Sequence, residues 1–255
     1  MMEILESKTI VVTGSSKGIG KSIVGLLGSR GAHVIAHYSS DRSGALEATR
    51  SIPDERKLIV QADFSDPNGY KKLWEEAVDW QGRVDVLVAN AAVMPQAALT
   101  DSDQAWYQAW HSAMQVNSTS PAFLMREAVL HFLDNGGGSI IGLSSWAAQR
   151  GSGNPSLSAY ASSKSTSAAL IKSIARAYGK DHIYSYLIAP GIVRTAMSET
   201  SAKSLGGEDV VTQTLAMGEW VPPIEVAELV AFLATGNQTQ LTGATIDLNG
   251  ATYIR

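Results

Sequence analysis

The sequence predicts an α/β fold, a single doubly wound parallel sheet of about seven strands with helices on both faces. Three observations predict it. Short apolar, β-branched runs alternate with helical patterns along the whole chain. The first run leads at once into a glycine-rich turn and a helix, the opening unit of such sheets. No linker, internal repeat or low-complexity tract divides the 255 residues, so one domain is expected.

Taken in order, Thr9 to Thr13 reads as a buried strand. Gly14-Ser15-Ser16-Lys17-Gly18-Ile19-Gly20 follows, and Ile23, Val24, Leu26 and Leu27 then give a helical spacing. Free N–H groups and the positive end of a helix dipole converge there, which suits an anion. Gly31 to Tyr38 supplies a second strand and residues 44–50 a helix. Lys57 to Ala62 is a third strand, ending in Asp63 and Phe64. Asp63 could turn the chain there or accept a hydrogen bond from an adenine amino group. Ser65-Asp66-Pro67 starts a helix that runs to Trp80.

Val84 to Ala89 is the fourth strand, and the small residues at Asn90-Ala91-Ala92 would let a flat ring approach the backbone. Residues 102–134 are helical by pattern, with Asn117 inside them. Asparagine is a poor helix-interior residue, and such local conflicts mark functional sites or satisfied core amides. Ser139 to Leu143 and His182 to Ile188 are the fifth and sixth strands, with a helix from Ser158 to Tyr178 between them. Pro190-Gly191-Ile192-Val193 turns away from the sixth. Residues 194–220 have no clean period and read as a lid or as a surface excursion with a small helix. Residues 224–234 form a helix and 241–248 the last strand.

Composition narrows the function. Hydrophobic residues make up 45% and charged residues 17%, which suits a compact globule rather than a disordered chain. A net charge of −4 without a long basic run argues against nucleic acid. With no cysteine there is neither a disulfide nor a thiolate metal site, and no metal is assigned. No apolar run reaches the ~20 residues of a membrane span. The N-terminal residues do not read as a signal peptide, and a cytoplasmic protein is expected.

The chemistry gathers at Ser144-Ser145 and Tyr160-Ala-Ser-Ser-Lys164. Tyr160 and Lys164 are four apart and share one helix face. A free tyrosine titrates near ~10, and a neighbouring ammonium lowers that value. Ser145, at a strand end, could hold a substrate oxygen beside the Tyr160 hydroxyl. Together these supply a proton donor, a tuner of its acidity and a carbonyl binder.

Thr13-Gly14-x-x-x-Gly18-x-Gly20, Asn90-Ala91-Ala92, Asn117, Ser145, Tyr160-x-x-x-Lys164 and Pro190-Gly191 together resemble the classical short-chain dehydrogenase/reductase family. The resemblance covers the whole chain. It implies a Rossmann-like domain, usually a homotetramer, that transfers hydride between a nicotinamide and a carbonyl or alcohol. Tyr160 would then be general acid in reduction and base in oxidation, and Lys164 would also hold the nicotinamide ribose. Asn117 would hold a water in a proton relay toward Lys164. Asp63 and Asn90 would frame the adenosine, while Ile192, Val193 and Thr195 would contact the nicotinamide end. Three features depart from the pattern. The interval from Ser145 to Tyr160 is longer than usual and carries Gly151, Gly153 and Pro155; Ala92 stands where glycine is common; and Asn249-Gly250-Ala251 replaces the usual terminal Asp-Gly-Gly.

The resemblance also frames the choice of cofactor. A carboxylate at the end of the second strand would accept the ribose 2′-hydroxyl of NAD(H) and repel the phosphate of NADP(H). This chain has Tyr38, Ser39 and Ser40 there, with Lys17 in the glycine loop and Arg42 nearby. Asp41 opposes them. NADP(H) is the expected cofactor, and a small carbonyl or alcohol the expected substrate. Met94, Pro95, Trp146, Met197, Met217 and Trp220 are candidate walls for it, favouring an apolar carbonyl over a highly charged one. A catalytically idle dinucleotide-binding regulator is the rival reading, but it would have no need for Ser145, Tyr160 and Lys164 together.

Overall fold

The computed structural model describes residues 5–254. Seven strands form one sheet: β1 (Thr9–Val12), β2 (His33–Tyr38), β3 (Lys57–Gln61), β4 (Val86–Ala89), β5 (Gly138–Leu143), β6 (Ile183–Pro190) and β7 (Thr245–Leu248). Their order is β3-β2-β1-β4-β5-β6-β7, and every pairing is parallel. The chain winds outward from β1 in one direction and from β4 in the other. Ligands of such sheets bind at that reversal, beyond the carboxyl ends of the strands.

Alternate strand residues face opposite layers. Ile10, Val12, Val34, Ala36, Ile141 and Ile188 pack under α1 (Gly18–Ser29) and α10 (Pro223–Ala234) through Ile23, Leu27, Val226 and Val230. Val11, Ile35, Leu87, Ile140 and Leu187 pack under α3 (Gly69–Gln81), α5 (Ser120–Asp134) and α7 (Ser158–Tyr178) through Leu73, Trp74, Phe132 and Ile171. Burial on both faces accounts for the continuous apolar strands. No helix among the described residues is long and apolar enough to cross a membrane.

Five segments differ from the sequence reading. Helix α3 starts at Gly69 rather than at Ser65-Asp66-Pro67, because two turns, closed by Asp66 N–H on the Asp63 carbonyl and Gly69 N–H on the Asp66 carbonyl, come first. Helix α2 (Arg42–Ala48) starts early because the Asp41 carboxylate caps it, accepting from the Gly44 N–H at 2.8 Å. The stretch 102–134 is two helices, α4 (Asp103–Met114) and α5, joined by a π-helical turn at Gln115–Thr119. Pro121 gives the reason. It lacks the N–H that would close an α-helical bond on the Asn117 carbonyl, and its ring crowds that position.

Residues 194–220 hold two short helices, α8 (Ala196–Lys203) and α9 (Glu208–Gln213). Their period was illegible because each is under three turns long. The last strand is half the expected length, since Thr239–Leu241 is a tight turn and Gly243 has φ +81. Between β5 and α7 lie a short helix, α6 (Ala147–Arg150), and a single turn at Pro155–Leu157.

Candidate active site

Beyond the carboxyl ends of the strands lie two clefts. The first, of about 460 Å³, is lined by Gly14, Ser16, Lys17, Gly18, Ile19 and Gly20, by Asp63, Phe64 and Asn90 to Val93, and by Tyr160, Lys164, Pro190 and Thr195. The second, of about 420 Å³, lies between α6, α8 and α9 and is lined by Ser145, Tyr160, Gly191 and Ile192. Tyr160 and Met197 belong to both.

The glycine loop is held by its own backbone and by two side chains of β-strand ends. Thr13 Oγ1 accepts from the Asn90 and Ala91 N–H groups, both at 2.9 Å. Asn90 Nδ2 donates to the carbonyls of Thr13 and Gly14 at 2.8 and 3.1 Å. A Cβ on Gly20 would stand 2.0 Å from the Gly14 carbonyl oxygen, so only glycine fits. Lys17 precedes α1 without a side-chain cap, and no acidic residue occupies the first turn. The first-turn N–H groups therefore face the cleft without a side-chain partner. This donor set, in a cleft of that size, fits the pyrophosphate of a dinucleotide.

His37 is a site residue that sequence reasoning missed. Its Nδ1 accepts from the Gly14 N–H at 3.0 Å and its Nε2 donates to the Ala62 carbonyl at 2.9 Å. The ring stacks on Phe64, with centroids 4.5 Å apart. Burial pushes its pKa down to about 4, so the ring is neutral and one tautomer serves both bonds. Its alternation with Ile35 on β2 was the available signal.

The same alternation sends Tyr38 to the Val34 and Ala36 face, where it is buried and does not line the cleft. Arg42, exposed at the start of α2, also lies off the cleft wall. Ser39, Ser40 and Asp41 do line it, beside Lys17. Asp41 keeps a low pKa, chiefly because the Gly44 N–H and the Ser43 hydroxyl hydrogen-bond its carboxylate, and Lys17 and Lys21 add to this. Asp63 lies at the other strand end, where the Ser65 N–H holds its carboxylate at 2.9 Å and low in pKa.

Tyr160 and Lys164 sit one turn apart on α7. Ser145 hydrogen-bonds the Tyr160 hydroxyl, while burial pushes that hydroxyl's pKa up. Lys164 is buried and donates from Nζ to the Leu143 carbonyl at 2.8 Å. Burial lowers its pKa from 10.5 to about 8. The ammonium is thus anchored to the end of β5, and burial rather than Lys164 dominates the acidity of Tyr160. Ser144 lines the dinucleotide cleft, with its hydroxyl on the Lys164 carbonyl at 3.3 Å, and Ser145 lines the second cleft.

The Asn117 side chain is fully engaged. It accepts from Val93 N–H at 2.8 Å and donates to the Val93 carbonyl at 2.8 Å and to Ser163 Oγ at 2.9 Å. Ser163 in turn donates to the Tyr160 carbonyl at 2.8 Å. Asn117 therefore braces the strand-β4 loop against α7. Its carbonyl, in the π turn, receives the Ser167 hydroxyl at 3.3 Å.

Of the expected substrate walls, Met94, Trp146 and Met197 line the second cleft, whereas Pro95, Met217 and Trp220 do not. Trp220 is core to the α8–α9 segment, packed with Ala202, Val211 and Leu215, and donates from Nε1 to Thr212 Oγ1 at 2.8 Å. Val193 is likewise buried, bridging to Val221. The remaining walls, including Leu157, Leu205 and Val210, arrive from distant segments that no local pattern singles out.

A doubly wound sheet with a glycine-loop cleft, and a Ser–Tyr–Lys set at its inner end, defines a dinucleotide-dependent oxidoreductase site. The family model described as enoyl-(acyl carrier protein) reductase matches residues 14–251. The chain is 32% identical to 3beta-hydroxysteroid dehydrogenase 1 of Eggerthella lenta, over 98% of this chain and 95% of that protein. It is 33% identical to the 3-oxoacyl-[acyl-carrier-protein] reductase FabG of Vibrio cholerae, over 98% and 99%. Among solved structures, the angucycline C-6 ketoreductase LanV with bound NADP superposes with a TM-score of 0.85 at 30% identity, over 97% of this chain and 96% of that one. A Beutenbergia cavernae protein proposed to be an NAD(P)-dependent gluconate 5-dehydrogenase, with NADP bound, gives 0.88 at 27% identity, over 98% of each chain. The chain belongs to the short-chain dehydrogenase/reductase family of oxidoreductases.

Proposed function

We propose that the protein is an NADP(H)-dependent oxidoreductase that interconverts an apolar carbonyl compound and its secondary alcohol. The observation that carries this reading is the position of Tyr160, shared by both clefts, with Ser145 bonded to its hydroxyl and Lys164 buried one turn away. When bound, the nicotinamide supplies or accepts the hydride. Ser145 donates a hydrogen bond to the substrate carbonyl oxygen and fixes it beside Tyr160. The Tyr160 hydroxyl gives that oxygen its proton in reduction and takes it back in oxidation. Lys164 faces the ribose side and stabilises the transient phenolate. The Asn117 carbonyl, denied an α-helical partner by Pro121 and bonded only to the Ser167 hydroxyl at 3.3 Å, keeps a lone pair that would hold a relay water.

Support for NADP(H) over NAD(H) comes from the absence of a carboxylate at the end of β2 and from Lys17 on the cleft wall, and NADP is bound in both solved relatives named above. Asp41 is occupied with capping α2. Met94, Trp146, Leu157, Ile192 and Met197 suit an apolar body, and α8 with α9 forms the lid over it. A homotetramer is the expected assembly, and α7, with Ser165, Thr166, Ala169 and Ser173 on its exposed face, offers a small-residue surface for it. Light scattering at micromolar concentration checks it, and a monomer would reject it.

Tyr160→Phe tests the chemistry. Turnover should fall by roughly 10²–10⁴-fold while dinucleotide affinity is retained, because only the transferable proton is lost. Near-normal turnover would remove Tyr160 from its role. Wild-type protein that binds NADP(H) but reduces no carbonyl in a broad panel would favour the idle regulator instead.

A further inference from the structure

Among the described residues that line the substrate cleft, one is charged: Arg150, exposed at the end of α6. The guanidinium lies over Trp146, with its central carbon 4.1 Å from the ring centroid. None of the ion pairs among the described residues uses it. The contrast with Arg194 is instructive. That arginine also lies over a tryptophan, Trp220, but it pairs with Glu208 at 3.3 Å. Arg150 has no ion-pair partner among the described residues.

Its setting favours an anion. The contact with Trp146 holds the Arg150 side chain over one face of the ring, so it loses less freedom on meeting a carboxylate. Ser152 and Asn154 follow Arg150 on the lining, and Met94, Leu157, Met197 and Leu205 supply apolar surface, with Ser198, Ser201 and Thr214 among them. The loop that follows carries Gly151, Gly153 and Pro155. Gly151 has φ +75, a conformation that turns the chain sharply just after Arg150.

We propose that Arg150 is a specificity residue, and that the substrate is an apolar oxo-acid whose carbonyl meets Ser145 and Tyr160 while a single carboxylate at its far end meets Arg150. This rests on the carbonyl-reductase reading above and narrows it to monoanionic substrates. One bidentate, charge-assisted contact discriminates by about 10- to 100-fold against a neutral analogue.

The test uses 4-oxocyclohexanecarboxylate, 9-oxodecanoate and a decalone carboxylate, each against its own carboxamide. Calorimetric affinity with NADP+ present, and kcat/KM with NADPH, are measured for wild type, Arg150→Met and Arg150→Lys. The expected result is at least one acid preferred over its amide by 10-fold or more in wild type. In Arg150→Met the loss should fall on the acid's KM rather than kcat and collapse the ratio toward one, with partial recovery in Arg150→Lys. No preference in any pair, or a preference that survives Arg150→Met, overturns the proposal. Amides reduced without acid preference would defeat Arg150 and leave the reductase reading standing. Arg150-dependent acid binding without any reduction would uphold the anion site and defeat the reductase.

Discussion

Replacing Lys164 with Met should make the protein more stable and inactive. Burial lowers the Lys164 pKa from 10.5 to about 8, so at pH 7 the folded protein carries a buried charge that the unfolded chain carries in water. At about 1.4 kcal/mol per pH unit, that charge costs about 3 kcal/mol. Removing it also strands the Leu143 carbonyl, which Nζ meets at 2.8 Å, and that loss is worth about 1 kcal/mol. The net gain is about 2 kcal/mol, or roughly 4–8 °C in Tm for a chain of this size.

The sign is fixed by linkage. Between pH 8 and 10.5 the unfolded lysine holds a proton that the folded one has lost, so wild-type stability rises through that window. The variant has no such slope, so its advantage should shrink through the window and reverse by about 1 kcal/mol as pH approaches 10.5, leaving only the lost Leu143 bond. Urea unfolding of both proteins without dinucleotide, at pH 7, 9 and 10.5, measures it. A Lys164→Met protein no more stable than wild type at pH 7, or an advantage independent of pH, would refute the reasoning.

Acid should destabilise the protein through His37. Its folded pKa of about 4 lies below the ordinary 6.5, so its contribution is complete above 6.5 and is lost as pH falls toward 4, up to about 3 kcal/mol. His37→Gln can keep the bonds to Gly14 and Ala62 without titrating, and should flatten that limb of the unfolding profile; an unchanged limb would clear His37. Lys17→Ala should lower kcat/KM for NADPH relative to NADH by roughly tenfold, since one cation near a phosphate is worth about 1 kcal/mol or more. An equal ratio before and after would take Lys17 out of the cofactor preference.

How much could be read before the fold was seen depended on how local each signal was. The strands and the glycine loop are written in runs of adjacent residues, and Tyr160 and Lys164 declare themselves by a spacing of one turn. Asn117 stood out as a conflict, but the π turn was missed because its cause, Pro121, lies four residues on. The task of its amide, fastening Val93 to Ser163, spans tens of residues and leaves no periodic trace. Tyr38 was placed on the cleft by its position in sequence, and strand alternation put His37 there instead. Trp220 reads as a pocket wall or as core equally well, and only the packing of α8 and α9 decides for core.

The bare start of α1 has a consequence for the life of the protein. A helix that begins with neither a capping side chain nor an acid in its first turn leaves its own end unfinished. On the proposed reading the dinucleotide phosphates would complete it, and loading and folding would share one equilibrium. A ligand at a hundred times its dissociation constant adds about 2.7 kcal/mol to the stability of the form that binds it. Starved of dinucleotide, the population would drift toward partly opened molecules that proteases and chaperones recognise. The abundance of the protein would then rise and fall with the supply of dinucleotide by mass action.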